Sequence, residues 1–252
     1  MSQVRRTSRL PFVGMRILVT GASSGLGYQC ALALAVRGAT VVLVARRRGR
    51  LEKLRAKARN LAGRTLVVTG DLARVGEITR LSGAVIREIG GIDILVNNAA
   101  VYMEDSEIVA TNLDDWMRFM NTNLRAPYLL CRAFVPGMVA RGYGRVINIL
   151  SAKGELGGAG AYRISKIGLE VLTAVLAREL RGTGVATLGI NPGWMRTEMS
   201  ESGNSPRGVA KATIDLLELG KNVPNGAIFD LRRRGRKFYF YPRRAARSRY
   251  GP

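Results

Sequence analysis

The sequence contains no histidine, and this absence excludes several kinds of active site at once. A Ser-His-Asp triad, a histidine-based zinc site and a histidine general base are all ruled out. Any acid–base chemistry must therefore use tyrosine, lysine, aspartate or glutamate. Cysteine is also scarce: Cys30 and Cys131 lie far apart within apolar helical patterns. This placement favours two small buried side chains over a disulfide or a pair of metal ligands.

Acidic residues are few, at 18 against 40 lysines and arginines, which leaves a formal charge of +22. Residues 232–249 hold nine basic side chains and no acid, and aromatic residues are interleaved among them. A second block, residues 46–64, holds nine basic side chains and the single acid Glu52. Such blocks either attract polyanions or form solvated faces, and composition leaves both interpretations open.

Long apolar segments are absent as well. No run approaches the ~20 residues needed to cross a bilayer, so we expect no transmembrane segment. The basic start of the chain precedes an apolar stretch at residues 15–20, as in a signal peptide. That stretch leads into a glycine-rich turn and not into a small-residue cleavage site, so it reads as a buried strand. We therefore expect a cytoplasmic protein.

Short segments rich in Val, Ile and Leu alternate with helical patterns between about residues 15 and 230. The strand segments show little polar alternation, as expected when helices cover both faces of a sheet. This order predicts an α/β fold, a Rossmann-like three-layer sandwich whose doubly wound sheet has about seven parallel strands. We predict one domain at residues 14–231, between a basic arm at 1–13 and a basic tail at 232–252. The predicted strands cover residues 15–20, 40–45, 64–70, 92–96, 144–150, 184–190 and 226–230, and the predicted helices cover 25–37, 47–61, 74–89, 112–141, 161–181 and 206–219.

A glycine-rich turn joins the first strand to the first helix. Glycines allow a sharp turn and a close approach of a pyrophosphate to the helix N-terminus, where free N–H groups and the helix dipole favour anions. Because this turn has the required strand–turn–helix context, it predicts a nucleotide site and not a plain turn. The candidate cofactor-binding residues in it are Gly21, Ser23, Ser24, Gly25, Leu26 and Gly27.

The tip of the second strand indicates which dinucleotide is bound. NAD-binding proteins carry an acidic residue there, which accepts a hydrogen bond from the ribose 2′-hydroxyl. This chain has Ala45 at the tip, followed by Arg46 and two further arginines. A guanidinium can bind a 2′-phosphate through paired hydrogen bonds, whereas a carboxylate would repel it. We therefore predict NADP(H), with Arg46 as the residue that reads the phosphate.

Tyr162 and Lys166 are four residues apart and so share one face of a helix. A free tyrosine has a pKa near ~10 and exchanges protons poorly at neutral pH. An ammonium ~4 Å away at an effective dielectric of ~20 contributes ~4 kcal/mol, or about three pKa units. We expect this effect to lower the pKa of Tyr162. By itself the spacing is common on helices, and other motifs are needed to support it.

Several motifs together resemble the short-chain dehydrogenase/reductase family, in the family's order and over most of the chain. The resemblance rests on the glycine turn, the Asn-Asn-Ala-Ala motif with alanine in place of the family's last glycine, the Tyr-x-x-x-Lys signature and an Asn-Pro-Gly turn. It implies catalytic roles for Asn123, Ser151, Tyr162 and Lys166, and cofactor contacts from Asp71, Leu72, Asn98, Ala99, Lys166, Pro192, Gly193 and Thr197.

The resemblance also implies a mechanism. Tyr162 would be the general acid or base and Ser151 would orient the oxygen of a small carbonyl or alcohol substrate. Lys166 would bind the nicotinamide ribose and lower the tyrosine pKa, and Asn123 would connect Lys166 to solvent through water. The family further implies a homodimer or homotetramer, built from the helices near 112–141 and 161–181.

Two alternatives remain open at this level. The first is a catalytically idle protein of the same fold that binds polyanions or anionic membranes through the tail at 232–252. The intact set of catalytic residue types favours the enzyme over this alternative. The second is an epimerase or dehydratase of the wider superfamily, which the chain length and the Pro192-Gly193 turn disfavour.

Overall fold

The structure, a computed structural model, describes residues 10–103, 107–151, 160–193, 195, 203–231 and 237–240. It contains the predicted alternation of strands and helices. The strands are β1 (Arg16–Thr20), β2 (Thr40–Ala45), β3 (Arg64–Thr69), β4 (Ile94–Asn97), β5 (Gly144–Ile149), β6 (Val185–Asn191), β7 (Ala227–Asp230) and β8 (Lys237–Phe240). The helices are α1 (Gly25–Val36), α2 (Arg48–Lys57), α3 (Val75–Ile89), α4 (Leu113–Phe119), α5 (Ala126–Ala140), α6 (Gly160–Glu179) and α7 (Pro206–Leu217).

The strands form one sheet in the order β3-β2-β1-β4-β5-β6-β7-β8. The first seven are parallel, which confirms the predicted Rossmann-like fold, and β8 pairs antiparallel with β7. The direction of winding reverses between β1 and β4, because the chain moves outward from β1 to β3 and then returns to the other side. Ligands of such sheets bind at the carboxyl ends of the strands beside this reversal.

Helices cover both faces of the sheet, which is why the strands are apolar on both sides. One core lies under α1, α2 and α7, and its strand residues include Ile17, Val41 and Leu43. A second core lies under α3 and α5, and its strand residues include Leu18, Val42 and Val44. Consecutive residues of a strand thus enter opposite cores, as the period of two requires.

The folded domain extends beyond the predicted limits of 14–231 at both ends. Phe12, assigned to the basic arm, is buried in the first core. Residues 237–240, assigned to the basic tail, form β8, and Tyr239 packs against a small cluster around Leu150 and Ile228. The backbone of an edge strand offers unpaired N–H and C=O groups, and β8 satisfies those of β7.

The predicted helix at 112–141 is not continuous. It divides into α4 and α5, which are joined by a π-helical turn at Met120–Arg125. A π-turn widens the helix by one residue and often marks a functional site. Here it carries Asn123, whose side chain is fully buried.

The amino end of the sheet is fastened by a buried arginine. Arg145 on β5 donates from Nη1 to the carbonyl of Gly184 (2.9 Å) and from Nη2 to that of Gly220 (2.9 Å), and its Nη1 also reaches the carbonyl of Gly144. The guanidinium lies 4.7 Å from the centre of the Tyr143 ring. One side chain thereby joins three chain segments that the sequence separates widely.

Candidate active site

The glycine turn lies at the carboxyl end of β1, at the reversal of the sheet. Gly21 has φ 68°, a conformation that side chains disfavour. A Cβ on Gly27 would come within 2.5 Å of the Gly21 carbonyl oxygen and of Nδ2 of Asn98. Ser24 precedes α1 without capping it through its side chain, so the first N–H groups of α1 are available to an anion. This geometry fits the pyrophosphate of a dinucleotide.

Thr20 and Asn98 hold the turn against the end of β4. Oγ1 of Thr20 accepts hydrogen bonds from the N–H groups of Asn98 (2.9 Å) and Ala99 (3.0 Å). Nδ2 of Asn98 donates to the Thr20 carbonyl at 2.8 Å. Through Thr20, Asn98 and Ala99 therefore hold the glycine turn in place.

Arg47, and not Arg46, reaches the glycine turn. Nη2 of Arg47 donates to Oγ of Ser23 (3.0 Å) and of Ser24 (2.9 Å), whereas Arg46 is exposed at the tip of β2. Sequence reasoning chose the first arginine after Ala45 because the motif is counted from the strand end. The run of three arginines after Ala45 was the available indication that Arg47 could take this place. Which of the three guanidinium groups reaches the glycine turn depends on the bend of the chain before α2.

Asp71 and Leu72 follow β3 at the same edge of the sheet. Oδ1 of Asp71 accepts from the N–H of Ala73 at 3.0 Å, which forms a local turn, and Leu72 is buried. The turn is held further by Arg125, whose Nη2 donates to the Ala73 carbonyl at 2.8 Å. The candidate adenine-contacting pair is therefore linked to the π-turn that carries Asn123.

Tyr162 and Lys166 lie one turn apart near the start of α6, at the carboxyl end of β5. The Lys166 ammonium is 5.9 Å from the centre of the Tyr162 ring and donates to the Ile149 carbonyl at 2.8 Å. Ser151, just after β5, makes a hydrogen bond with the Tyr162 hydroxyl. The structure thus brings the three predicted catalytic side chains together.

Two further aromatic rings surround Tyr162. The Tyr102 ring meets it edge to face with 5.1 Å between ring centres, and the Phe119 ring lies 6.4 Å away. Sequence reasoning did not find Tyr102. The available signal was its position shortly after the Asn-Asn-Ala-Ala motif at the carboxyl end of β4, where side chains enter the site.

The expected lowering of the Tyr162 pKa does not occur in the structure. Burial raises the pKa of Tyr162 above its usual value, the hydrogen bond from Ser151 opposes this shift, and the nearby Tyr102 adds to it. Burial also lowers the pKa of Lys166 to about 8. The prediction assumed that a full charge ~4 Å from the phenol would dominate, whereas burial is the largest cause of the Tyr162 shift and also disfavours the charge of Lys166 itself.

Asn123 is hydrogen-bonded through both ends of its amide. Oδ1 accepts from the N–H of Val101 (2.8 Å), and Nδ2 donates to the Val101 carbonyl (3.0 Å) and to Oγ of Ser165 (3.0 Å). Ser165 in turn donates to the Tyr162 carbonyl at 2.6 Å. The side chain of Asn123 therefore fastens the segment after β4 to α6, directly beside Tyr102 and Tyr162.

The Pro192-Gly193 turn follows β6 at the same edge. Gly193 has φ 71°, its N–H donates to Oδ1 of Asn191 (3.2 Å), and Nδ2 of Asn204 donates to the Pro192 carbonyl (2.8 Å). Thr197 lies outside the described residues.

The described part of the chain contains no group of acidic residues and cysteines that could hold a metal ion. None of its helices combines the length and the hydropathy of a membrane-spanning segment.

Comparisons with known proteins agree with this geometry. Residues 15–208 match the sequence model of a family described as short chain dehydrogenase. The chain is 35% identical over 218 residues to the ketoacyl reductase HetN of Nostoc sp., covering 81% of this chain and 76% of the relative. It is 35% identical over 195 residues to an NADPH-dependent pterin aldehyde reductase of Arabidopsis thaliana, covering 75% and 79%. A metagenomic short-chain oxidoreductase solved in complex with NADP superposes with a TM-score of 0.78 at 32% identity, covering 84% and 94%.

Proposed function

Because the chain belongs to the short-chain dehydrogenase family and is thereby an oxidoreductase, we propose that it reduces a small ketone or aldehyde with NADPH. The observation that carries this proposal is that Ser151, Tyr162 and Lys166 lie together at the carboxyl end of β5. The phenol of Tyr162 is protonated at neutral pH and can therefore donate a proton to a developing alkoxide. The same site would support alcohol oxidation at high pH.

NADP(H) is the cofactor that fits the residues at the carboxyl ends of β1 and β2. The turn at residues 21–27 and the start of α1 would hold the pyrophosphate. Ala45 leaves no carboxylate at the β2 tip, and Arg46 and Arg47 would contact the 2′-phosphate. The NADP complex of the structural relative and the NADPH dependence of the pterin aldehyde reductase support this assignment.

The protein's own side chains would then perform three tasks. Ser151 would donate a hydrogen bond to the substrate oxygen and orient the carbonyl. Tyr162 would give its proton to that oxygen as negative charge develops, and both hydroxyls would stabilise the charge. Lys166 would hold the nicotinamide ribose and restore the tyrosine proton. The bound cofactor supplies the hydride.

An apolar groove on the outer side of α4–α6 suggests how copies of the chain associate. It has a volume of about 410 Å³, and its apolar lining includes Met117, Met120, Leu124 and Leu172. Ile167, which lies on α6 five residues before Leu172, is also exposed. The homodimer or homotetramer expected from the family would cover this groove, and light scattering at micromolar concentration tests it.

The alternative of a catalytically idle protein is not retained, because Ser151, Tyr162 and Lys166 are present and assembled. A screen of ketones and aldehydes that follows the absorbance of NADPH tests the proposed function. We expect turnover with at least one carbonyl class, and tighter binding of NADPH than of NADH by fluorescence titration. Tighter binding of NADH would contradict the cofactor assignment.

A further inference from the structure

Part of the excess positive charge lies on one face of the domain, which begins beside the proposed cofactor site and extends away from it. Residues 46–64 carry nine basic side chains and one acid, Glu52. Glu52 is already engaged, 2.8 Å from Nη2 of Arg55 and 3.8 Å from Nε of Arg48. The members of this basic face that are exposed on α2, in the following turn and at the start of β3 are Arg48, Arg50, Lys53, Arg55, Lys57, Arg59 and Arg64.

The basic face has a groove that can accept anionic groups. The groove lies between the C-terminal part of α2 and β3 and has a volume of about 330 Å³. It is bordered by Arg55, Arg59 and Arg64 and by one acid, Glu52, whose charge is paired with Arg55. Guanidinium groups bind phosphate oxygens through paired hydrogen bonds. The groove and the outer side of α2, where Lys53 is exposed, together offer cations to more than one phosphate.

The same face lacks the features that other anionic partners require. Among the described residues, the exposed large apolar side chains all lie outside residues 46–69. A membrane-bound helix needs apolar side chains that enter the lipid, and a protein interface needs buried apolar or aromatic anchors. A phosphate backbone needs only positive charge at suitable spacing. The 10 residues of α2 span about 15 Å, a length along which each strand of a duplex presents about four phosphates.

We propose that the basic face binds the phosphate backbone of a nucleic acid without base readout. Binding of the nucleic acid goes beyond the reductase activity and does not depend on it, whereas the competition with NADPH inferred next rests on the proposed cofactor site. The face begins at Arg46 and Arg47, beside the site proposed for the cofactor's 2′-phosphate. A nucleic acid lying over the first turn of α2 would therefore compete with NADPH for these arginines, and each ligand would weaken the other.

The test compares two triple variants of the full chain, with a fluorescein-labelled 24-base-pair DNA duplex of mixed sequence as the probe. The first replaces Lys53, Arg59 and Arg64 with glutamine. The control replaces Arg87, Arg178 and Arg181, which are exposed on the opposite layer, with glutamine. Both remove three charges and keep residues 232–252, so the contribution of that segment is constant. None of the six residues belongs to the proposed catalytic or cofactor site.

We expect the first variant to bind the duplex about tenfold or more weakly than wild type, with the slope of log affinity against log salt reduced by about two to three. The duplex affinity of the control should stay within about twofold of wild type. Saturating NADPH should weaken duplex binding by the wild type severalfold. Neither variant should lose carbonyl reduction. Equal losses in both variants, or wild-type affinity in the first, would overturn the proposal. So would equally tight binding to phosphatidylserine vesicles or to polyglutamate. Because duplex binding is measured without substrate, a failed carbonyl screen would not affect this result.

Discussion

Two buried cations at opposite ends of the sheet are held in different ways. Arg145, at the amino end, donates to three backbone carbonyls and lies against the Tyr143 ring. Lys166, at the carboxyl end, donates to one carbonyl among the described residues, that of Ile149. Both are almost fully buried, and burial lowers the pKa of each.

The difference separates a structural cation, Arg145, from one to which we assign a role in the proposed reaction, Lys166. The N–H groups of Arg145 are used by the fold, so this buried charge is compensated where it lies. An ammonium has three donors, and Lys166 keeps part of its hydrogen-bonding capacity for a ligand. The fold therefore accepts an undercompensated charge at the carboxyl end, which is where the proposed reaction takes place.

The largest effect should come from removing the proton donor at the carboxyl end. We predict that Tyr162→Phe lowers turnover by roughly 10²–10⁴ while NADPH binding and thermal stability remain close to wild type. The matched control is Tyr143→Phe at the amino end, where the Tyr143 hydroxyl donates a weak hydrogen bond to the Met15 sulfur at 3.8 Å. Steady-state kinetics of both variants would test this. Near-normal turnover of Tyr162→Phe would show that the proposed mechanism is wrong.

The next effect concerns the amino end and should appear in stability. Arg145→Met leaves the carbonyls of Gly184 and Gly220 without their donor, and we expect the free energy of unfolding to fall by about 3 kcal/mol. Urea denaturation measures this change. Arg181→Met, at an exposed position, should stay within about 0.5 kcal/mol. A loss of turnover per folded Arg145→Met molecule would mean that the two ends are not functionally separate.

Replacing Lys166 should raise the free energy of unfolding, opposite to the effect of replacing Arg145. We predict that Lys166→Met stabilises the cofactor-free protein by about 2 kcal/mol at pH 7, because it removes a buried charge, while turnover is lost.

The pH dependence of this stability difference tests whether the buried charge of Lys166 is its cause. The folded-state pKa of Lys166, about 8, lies below the usual 10.5, so the unfolded chain binds more protons between these values. The stability of the wild type therefore gains from this group as pH rises from about 8 to 10.5, and the advantage of the variant should shrink over that interval. An advantage independent of pH would point to packing as the cause.

The smallest effect should come from the arginine that reaches the glycine turn. Arg47→Ala should weaken NADPH binding by about tenfold and leave NADH binding nearly unchanged, because a charge-assisted hydrogen bond contributes about 1.5 kcal/mol or more. Arg37→Ala, which removes the 2.7 Å ion pair with Glu218, should change neither affinity. Fluorescence titration of both cofactors measures the ratio. Equal losses of affinity for NADPH and NADH after Arg47→Ala would show that Arg47 maintains the conformation of the glycine turn and does not contact the 2′-phosphate.

Much of the site was predictable because its chemistry is written in local patterns. Glycine spacing after a strand implies a phosphate turn, and a spacing of four on a helix puts Tyr162 and Lys166 on one side. Those two inferences need only the periodicity of an element and the turn that follows its strand. Ser151 and Asn98 were assigned because the sequence around them resembles the motifs of the family, and the carboxyl ends of parallel strands then bring them to the same edge of the sheet.

What the sequence by itself determined is the order of elements, the parallel sheet and the residue types that meet at its carboxyl edge, because hydrophobic periodicity and turn glycines act over a few residues. The tertiary structure decided the rest. It turned Arg47 and not Arg46 onto the turn, placed Tyr102 against Tyr162, widened the helix at Asn123 and added β8 to the sheet. It also reversed the expected shift of the Tyr162 pKa. These outcomes depend on distances and on burial between segments far apart in the chain, and both exist only once the chain has packed.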